Sequence, residues 1–179
     1  MPPDFVMKRV GNNGYLIPVK GMAVGEHHFS FEIDREFFRG YENSEVIEAE
    51  LSAEVNVVRS ATLMNIEGVI TGSVGVECDR CLDELHLPIH AELGLIIKFA
   101  KNIDEEGDEI MVIDPSEGEL DLSQLFYDTV ILSLPLQRVH DKEECNPEMV
   151  RKLESLSGDN GEEAEGSESP FSVLKKLKN

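Results

Sequence analysis

From Phe29 to Phe99 the chain alternates apolar and polar residues with few interruptions, the two-residue period of strands with one wet face. Phe29, Phe31 and Ile33 alternate with Ser30 and Glu32, and Asp34 then offers a cap to a short helical turn carrying Phe37, Phe38 and Tyr41. Ala49, Leu51, Ala53, Val55 and Val57 share one face of the next strand, opposite Glu48, Glu50, Ser52, Glu54 and Asn56. After a break near Ser60, Met64, Ile66, Ile70, Val74 and Val76 keep one parity, and Gly68 and Gly72 on that same face predict bulges or a close backbone approach. The longest run places Leu85, Leu87, Ile89, Ala91, Leu93, Leu95, Ile97 and Phe99 on one face, and Pro88 within it predicts a partial edge. These segments predict an antiparallel meander with "CDRC" at the tip of a long hairpin.

Past residue 100 the pattern changes. "KNIDEEGDEIMVIDPSEGE" is an acidic loop with room for one short strand at Met111 to Ile113. In "LDLSQLFYDTVILSLP" the residues Leu122, Leu125, Phe126 and Val130 fit a helical stripe, with Asp121 and Gln124 spaced as a capping box and Pro135 as the stop. A second helix is predicted from Asn146 as cap and Pro147 as first residue, burying Met149, Val150, Leu153 and Leu156 until Gly158 ends it. "DNGEEAEGSES", residues 159–169, has no large apolar residue and five acids without a base, so disorder is expected there. In "PFSVLKKLKN" the residues Phe171, Leu174 and Leu177 sit three apart among Lys175, Lys176 and Lys178, the pattern of a short amphipathic basic motif. The expected organisation is one domain over 1–157, an acidic linker over 158–169 and the basic motif over 170–179. Its class is α+β: an antiparallel, strongly twisted sheet able to curl partway into a barrel, followed by two main helices and a disordered tail.

Charge narrows the partners. Against 36 acids stand 16 lysines and arginines, a net of −20, and such an excess repels phosphate backbones, which are gripped chiefly through cations. Tight RNA binding by the body is therefore not expected. The opening residues lack the apolar core of a secretory signal, and nowhere do about 18 apolar residues follow one another. A cytoplasmic protein with no membrane attachment is expected.

Three cysteines without a dense framework point to thiols or thiolates rather than disulfides. Cys78 and Cys81 have the spacing at which two thiolates of one tight turn reach a tetrahedral ion. A pair does not fill a site, and "VHDKEEC" between the helices supplies His140 and Cys145. If the first helix packs on the sheet and returns the chain to the hairpin tip, these four residues form a Cys3His set for one structural zinc ion. The plainer alternative makes Cys78 and Cys81 ordinary thiols and Cys145 a small buried hydrophobe. A thiol redox pair is a further alternative, disfavoured by the acidic neighbours Glu77, Asp79, Asp83 and Glu84. His86, His90 and Glu92 share a strand face, but histidines four apart on a strand stand about 13 Å apart, too far for one ion. His27 and His28 are read as structural.

No phosphate-cradling glycine loop, nucleophile elbow or helix-borne HExxH motif is present. The carboxylates alternate along strand faces as a solvated surface does. A hydrolase would need one of them in an apolar pocket. A non-enzyme with no small-molecule substrate is expected, with the hydrolase as an alternative.

The order of "CDRCL", an acidic loop, "ELDLSQLFYDTVILSLPLQRVHDKEEC" and a terminal "SPFSVLKKLKN" resembles the YceD family, bacterial and plastid proteins required for accumulation of large-subunit ribosomal RNA. The resemblance is good from about Val76 onward and weaker before it. It implies a non-enzymatic factor in large-subunit assembly, and it marks Cys78, Cys81 and the His140 to Cys145 region as the family's cysteine-bearing positions. Many relatives carry a fuller cysteine cluster after the helix, whereas only Cys145, followed by "NPEM", stands here. With a net charge of −20, the expected partner is a basic ribosomal or ribosome-assembly protein, because opposite charge steers association. Phe171, Leu174, Lys175, Lys176, Leu177 and Lys178 are the expected partner-binding residues, docking as a short helix in a partner's groove; the equal alternative is that this stripe folds back onto the chain's own sheet.

Overall fold

The computed structural model describes residues 14–42, 44–100, 110–114, 118–141 and 143–156. Along the chain these form β1 (Leu16–Pro18), β2 (Gly25–Asp34), α1 (Arg35–Arg39), β3 (Val46–Arg59), β4 (Leu63–Glu77), β5 (Glu84–Phe99), β6 (Ile110–Ile113), β7 (Glu119–Asp121), α2 (Ser123–Ser133) and α3 (Pro147–Leu156). The expected acidic linker and basic motif lie outside the described residues.

The meander forms as its periodicity dictates. Five strands run in the order β2-β3-β4-β5-β6, and β2 to β5 pair antiparallel in chain order. β4 and β5 make one long hairpin, in register from Leu63 opposite Lys98 to Glu77 opposite Glu84. β2 and β6 are the two edges, so the sheet is open rather than closed into a barrel. Pro88 faces Ser73 of β4 on one side, while β6 pairs β5 only over Ile96 to Phe99. Pro88 thus lies where β5 has β4 on one side and no strand pairing on the other, the partial edge expected of it.

Two features depart from the sequence-based expectation. β6 runs parallel to β5, making the sheet mixed; a two-residue period fixes which face is apolar but carries no strand direction. β1 and β7 form a separate antiparallel pair, Leu16 opposite Asp121 and Pro18 opposite Glu119. Strands of three residues are too short to show a period.

The inner sheet face is the core: Phe31, Ile33, Ala53, Val57, Met64, Ile66, Ile70 and Val76 are all buried. Gly68 and Gly72 meet the expectation of a close approach. A Cβ on Gly72 would stand 2.1 Å from the Glu50 carbonyl oxygen, and one on Gly68 2.5 Å from that of Glu54. Gly72 also has φ +140, backbone that a side chain resists. α1 is capped as predicted, Asp34 Oδ1 accepting from the Phe37 N–H at 3.2 Å. α2 lays Phe126 and Val130, both fully buried, on the inner face, where Phe126 meets Phe31 edge-on at 5.3 Å. Its cap differs from the predicted box: Asp121 accepts from the Ser123 N–H at 2.8 Å, while Gln124 turns to Asp128, also at 2.8 Å. Because Asp121 is held in β7, the helix starts one residue late. Leu134, ahead of Pro135, leaves the helix with ψ 140, as a residue before proline does.

Candidate metal centre at the hairpin tip

Beyond Glu77 the hairpin closes through a tight turn. The Leu82 N–H bonds the Cys78 carbonyl at 2.9 Å and the Cys78 N–H bonds the Asp83 carbonyl at 2.9 Å. Leu82 takes φ +63, the only positive φ at a non-glycine among the described residues. That wrap turns both thiols of Cys78 and Cys81 inward, where they are 0 % and 1 % exposed.

The chain leaving α2 comes back to this tip. Asp79 and Arg138 bond reciprocally: the Asp79 N–H donates to the Arg138 carbonyl at 2.7 Å, and the Arg138 N–H donates to Asp79 Oδ2 at 2.7 Å. The Arg138 guanidinium also pairs with Glu45 and with Asp79 Oδ1. With Arg138 so anchored, His140 and Cys145 fall beside the turn. One ligand atom from each of Cys78, Cys81, His140 and Cys145 lies within 4.8 Å of all the others. Cys78 Sγ is 3.9 Å from Cys145 Sγ, and Cys81 Sγ is 3.4 Å from His140 Nδ1. The structure thus brings together all four residues that spacing suggested.

The donor set fits a tetrahedral ion. Zinc with sulfur at about 2.3 Å and nitrogen at about 2.0 Å sets its ligand atoms about 3.5–3.8 Å apart, close to the two separations above. The ring of His140 is oriented for this, because its Nε2–H donates to the Glu84 carbonyl at 3.0 Å. That bond leaves the Nδ1 lone pair toward the sulfurs, the arrangement in which a metal-binding imidazole is fixed by its other nitrogen. Two further groups face the sulfurs: the His140 N–H is 3.5 Å from Cys78 Sγ, and Arg80 Nη1 is 3.5 Å from Cys145 Sγ.

Electrostatics agree with the geometry. Burial pushes the Cys78 thiol up, but hydrogen bonds from the backbone of His140, Cys81 and Arg80 and from the Cys81 side chain outweigh it and bring the thiol down to about 6. Burial pushes Cys145 up, and hydrogen bonds to Cys81 and Cys78 add to that. Hydrogen bonds to Cys78 and then Cys81 raise His140, against burial. Sulfurs this close cannot all ionise alone, since like charges in one site drive each other's proton affinity apart. A divalent cation removes the conflict.

Other candidate residues stand apart. His86, His90 and Glu92 are exposed on the outer sheet face, as expected of a solvated row. The expected partner-binding residues from Phe171 to Lys178 lie outside the described residues. Leu153 and Leu156 of α3, predicted buried, are 41 % and 83 % exposed; only Met149 and Val150 pack, and they pack on the cysteine cluster. Sequence reading missed Arg138, because nothing in "LQRVH" signals a partner 59 residues away. It also gave Arg80 no role at Cys145.

Among the described residues no helix is long and apolar enough to cross a membrane. No solved structure matches the chain. A curated protein of Haemophilus influenzae, described as large ribosomal RNA subunit accumulation protein YceD, is 31 % identical over 120 residues, or 65 % of this chain and 66 % of that one. The chain thus spans just under two thirds of that relative's length. The family model for the same description matches residues 66–178, which include both halves of the Cys3His cluster and more than half of the sequence. The chain belongs to the YceD family.

Proposed function

We propose that this protein supports accumulation of large-subunit ribosomal RNA as a non-enzymatic cytoplasmic binding module, clamped by one structural zinc ion on Cys78, Cys81, His140 and Cys145. The closed donor set carries this reading: four protein ligand atoms lie mutually within 4.8 Å and three of the four residues are buried. A catalytic ion keeps a coordination position open for water or substrate, whereas a structural one is enclosed by protein. No aspartate or glutamate is buried among the described residues, so the apolar pocket that a hydrolase acid requires has no counterpart there. The burial of all three thiols likewise weighs against a redox pair, whose attacking sulfur must be reached.

The clamp joins segments 67 residues apart, so its binding energy counts as folding energy. The net charge of −20 favours a basic ribosomal or assembly protein as the partner, with residues 170–179 docking on it. Native mass spectrometry should find one zinc per chain. Cys78→Ser should lose it and lower the melting temperature by roughly 10 °C, the equivalent of about 3 kcal/mol. In cells lacking the protein, the same variant should fail to restore large-subunit RNA. A wild-type chain that melts at the same temperature with and without its metal would reject the clamp.

A further inference from the structure

Beside the metal turn lies a groove of about 420 Å³ whose walls include Glu45, Ile47, Glu77, Asp79, Leu82 and Arg138. It presents apolar surface to solvent: Leu82 is 60 % and Ile47 39 % exposed. Leu82 does so from φ +63, a conformation that costs a residue with a Cβ about 1–2 kcal/mol and that glycine adopts freely. Three carboxylates stand in the wall against one guanidinium, and that guanidinium is already paired with Glu45 and Asp79. A fitting occupant is therefore a short segment that is apolar along one side and carries cations unopposed by acids.

We propose that this groove holds the chain's own residues 170–179. That segment, "PFSVLKKLKN", has Phe171, Leu174 and Leu177 for the apolar floor and three lysines without an acid for the rim. Its tether suits the distance. α3 begins two residues after Cys145, whose Sγ is 3.9 Å from Cys78 in the groove wall, and its ten residues extend about 15 Å from that point. The 14 residues from 157 to 170 can reach at most about 45 Å, so the return lies within their span. A tether matched to its span places the segment at an effective concentration of about millimolar. A weak apolar and ionic contact is then occupied in the free protein, and a partner's groove competes with the chain's own. This goes beyond the proposed partner docking and does not depend on it.

Zero-length carbodiimide coupling of the full-length monomer, mapped by mass spectrometry, tests the contact. Amide links are expected from Lys175, Lys176 or Lys178 to Glu45, Glu77 or Asp79 within one chain. They should fall about tenfold in Leu174→Asp and in Leu82→Gly, as losing one buried leucine side chain implies. Leu82→Gly relieves the turn, and circular dichroism of both variants checks that loss of the fold does not explain the result. Absence of those links, links only between two chains, links from Lys8 instead, or undiminished links in both variants would overturn the proposal. Failure of partner binding with the links intact would reject the proposed function and leave this inference standing.

Discussion

Gly72 shows how much one residue settles. Its missing side chain lets β3 approach β4 within a distance that a Cβ, 2.1 Å from the Glu50 carbonyl, would forbid, and its φ of +140 adds strain for any replacement. Gly72→Ala should cost about 3 kcal/mol or more, since both the backbone and the neighbouring strand must shift. Chemical denaturation read by circular dichroism would check this, and a change below about 1 kcal/mol would mean that the sheet yields there easily. The glycine's position on the apolar parity was legible in the sequence. So was the Cys78 and Cys81 pair, because a local spacing encodes a local geometry. Arg138 was not: its partners Asp79 and Glu45 are 59 and 93 residues away, and no short-range pattern encodes a contact of that length.

At the scale of elements, periodicity disclosed what it physically controls. β2 to β5 run 10 to 16 residues each, long enough for alternation to reveal them and their buried face. It did not disclose β1 and β7, nor that α3 would leave Leu153 and Leu156 in solvent. An amphipathic stripe says which side of a helix is apolar, and the covering surface comes from elsewhere. α3 has no fully buried residue, and Met149 and Val150 seat it on the cysteines. It is therefore the element most dependent on the centre. Chelation of the ion should open α3 to trypsin at Arg151 and Lys152 at least tenfold faster, while the β-sheet signal in circular dichroism persists below the melting temperature. Equal cleavage with and without chelator would show that α3 is held by other contacts.

The whole molecule is a folded sheet with a large acidic surplus, and its outer face contributes directly. Glu54, Glu67 and Glu92 line one concavity across β3, β4 and β5, with no lysine or arginine among its lining residues. Charge of one sign on a compact body destabilises it through self-repulsion, and salt screens that repulsion with a Debye length falling from about 30 Å at 0.01 M to about 3 Å at 1 M. The protein should accordingly melt several degrees higher in about 0.5 M potassium chloride than in about 0.01 M. A melting temperature that falls with salt would mean that attractive ion pairs, such as Arg35 with Glu48, outweigh the surplus. Association with the proposed basic partner should respond in the opposite sense, weakening as salt rises.

The strand order bears on how the chain comes to be folded while it is being made. β2, β3, β4 and β5 are neighbours in both sequence and space, so each can add to the growing sheet soon after it emerges, at little entropic expense for local loop closure. Cys145 arrives 67 residues after Cys78. Through that interval the nascent hairpin tip carries an incomplete ligand pair, and the proposed metal site is completed only once the segment after α2 has emerged.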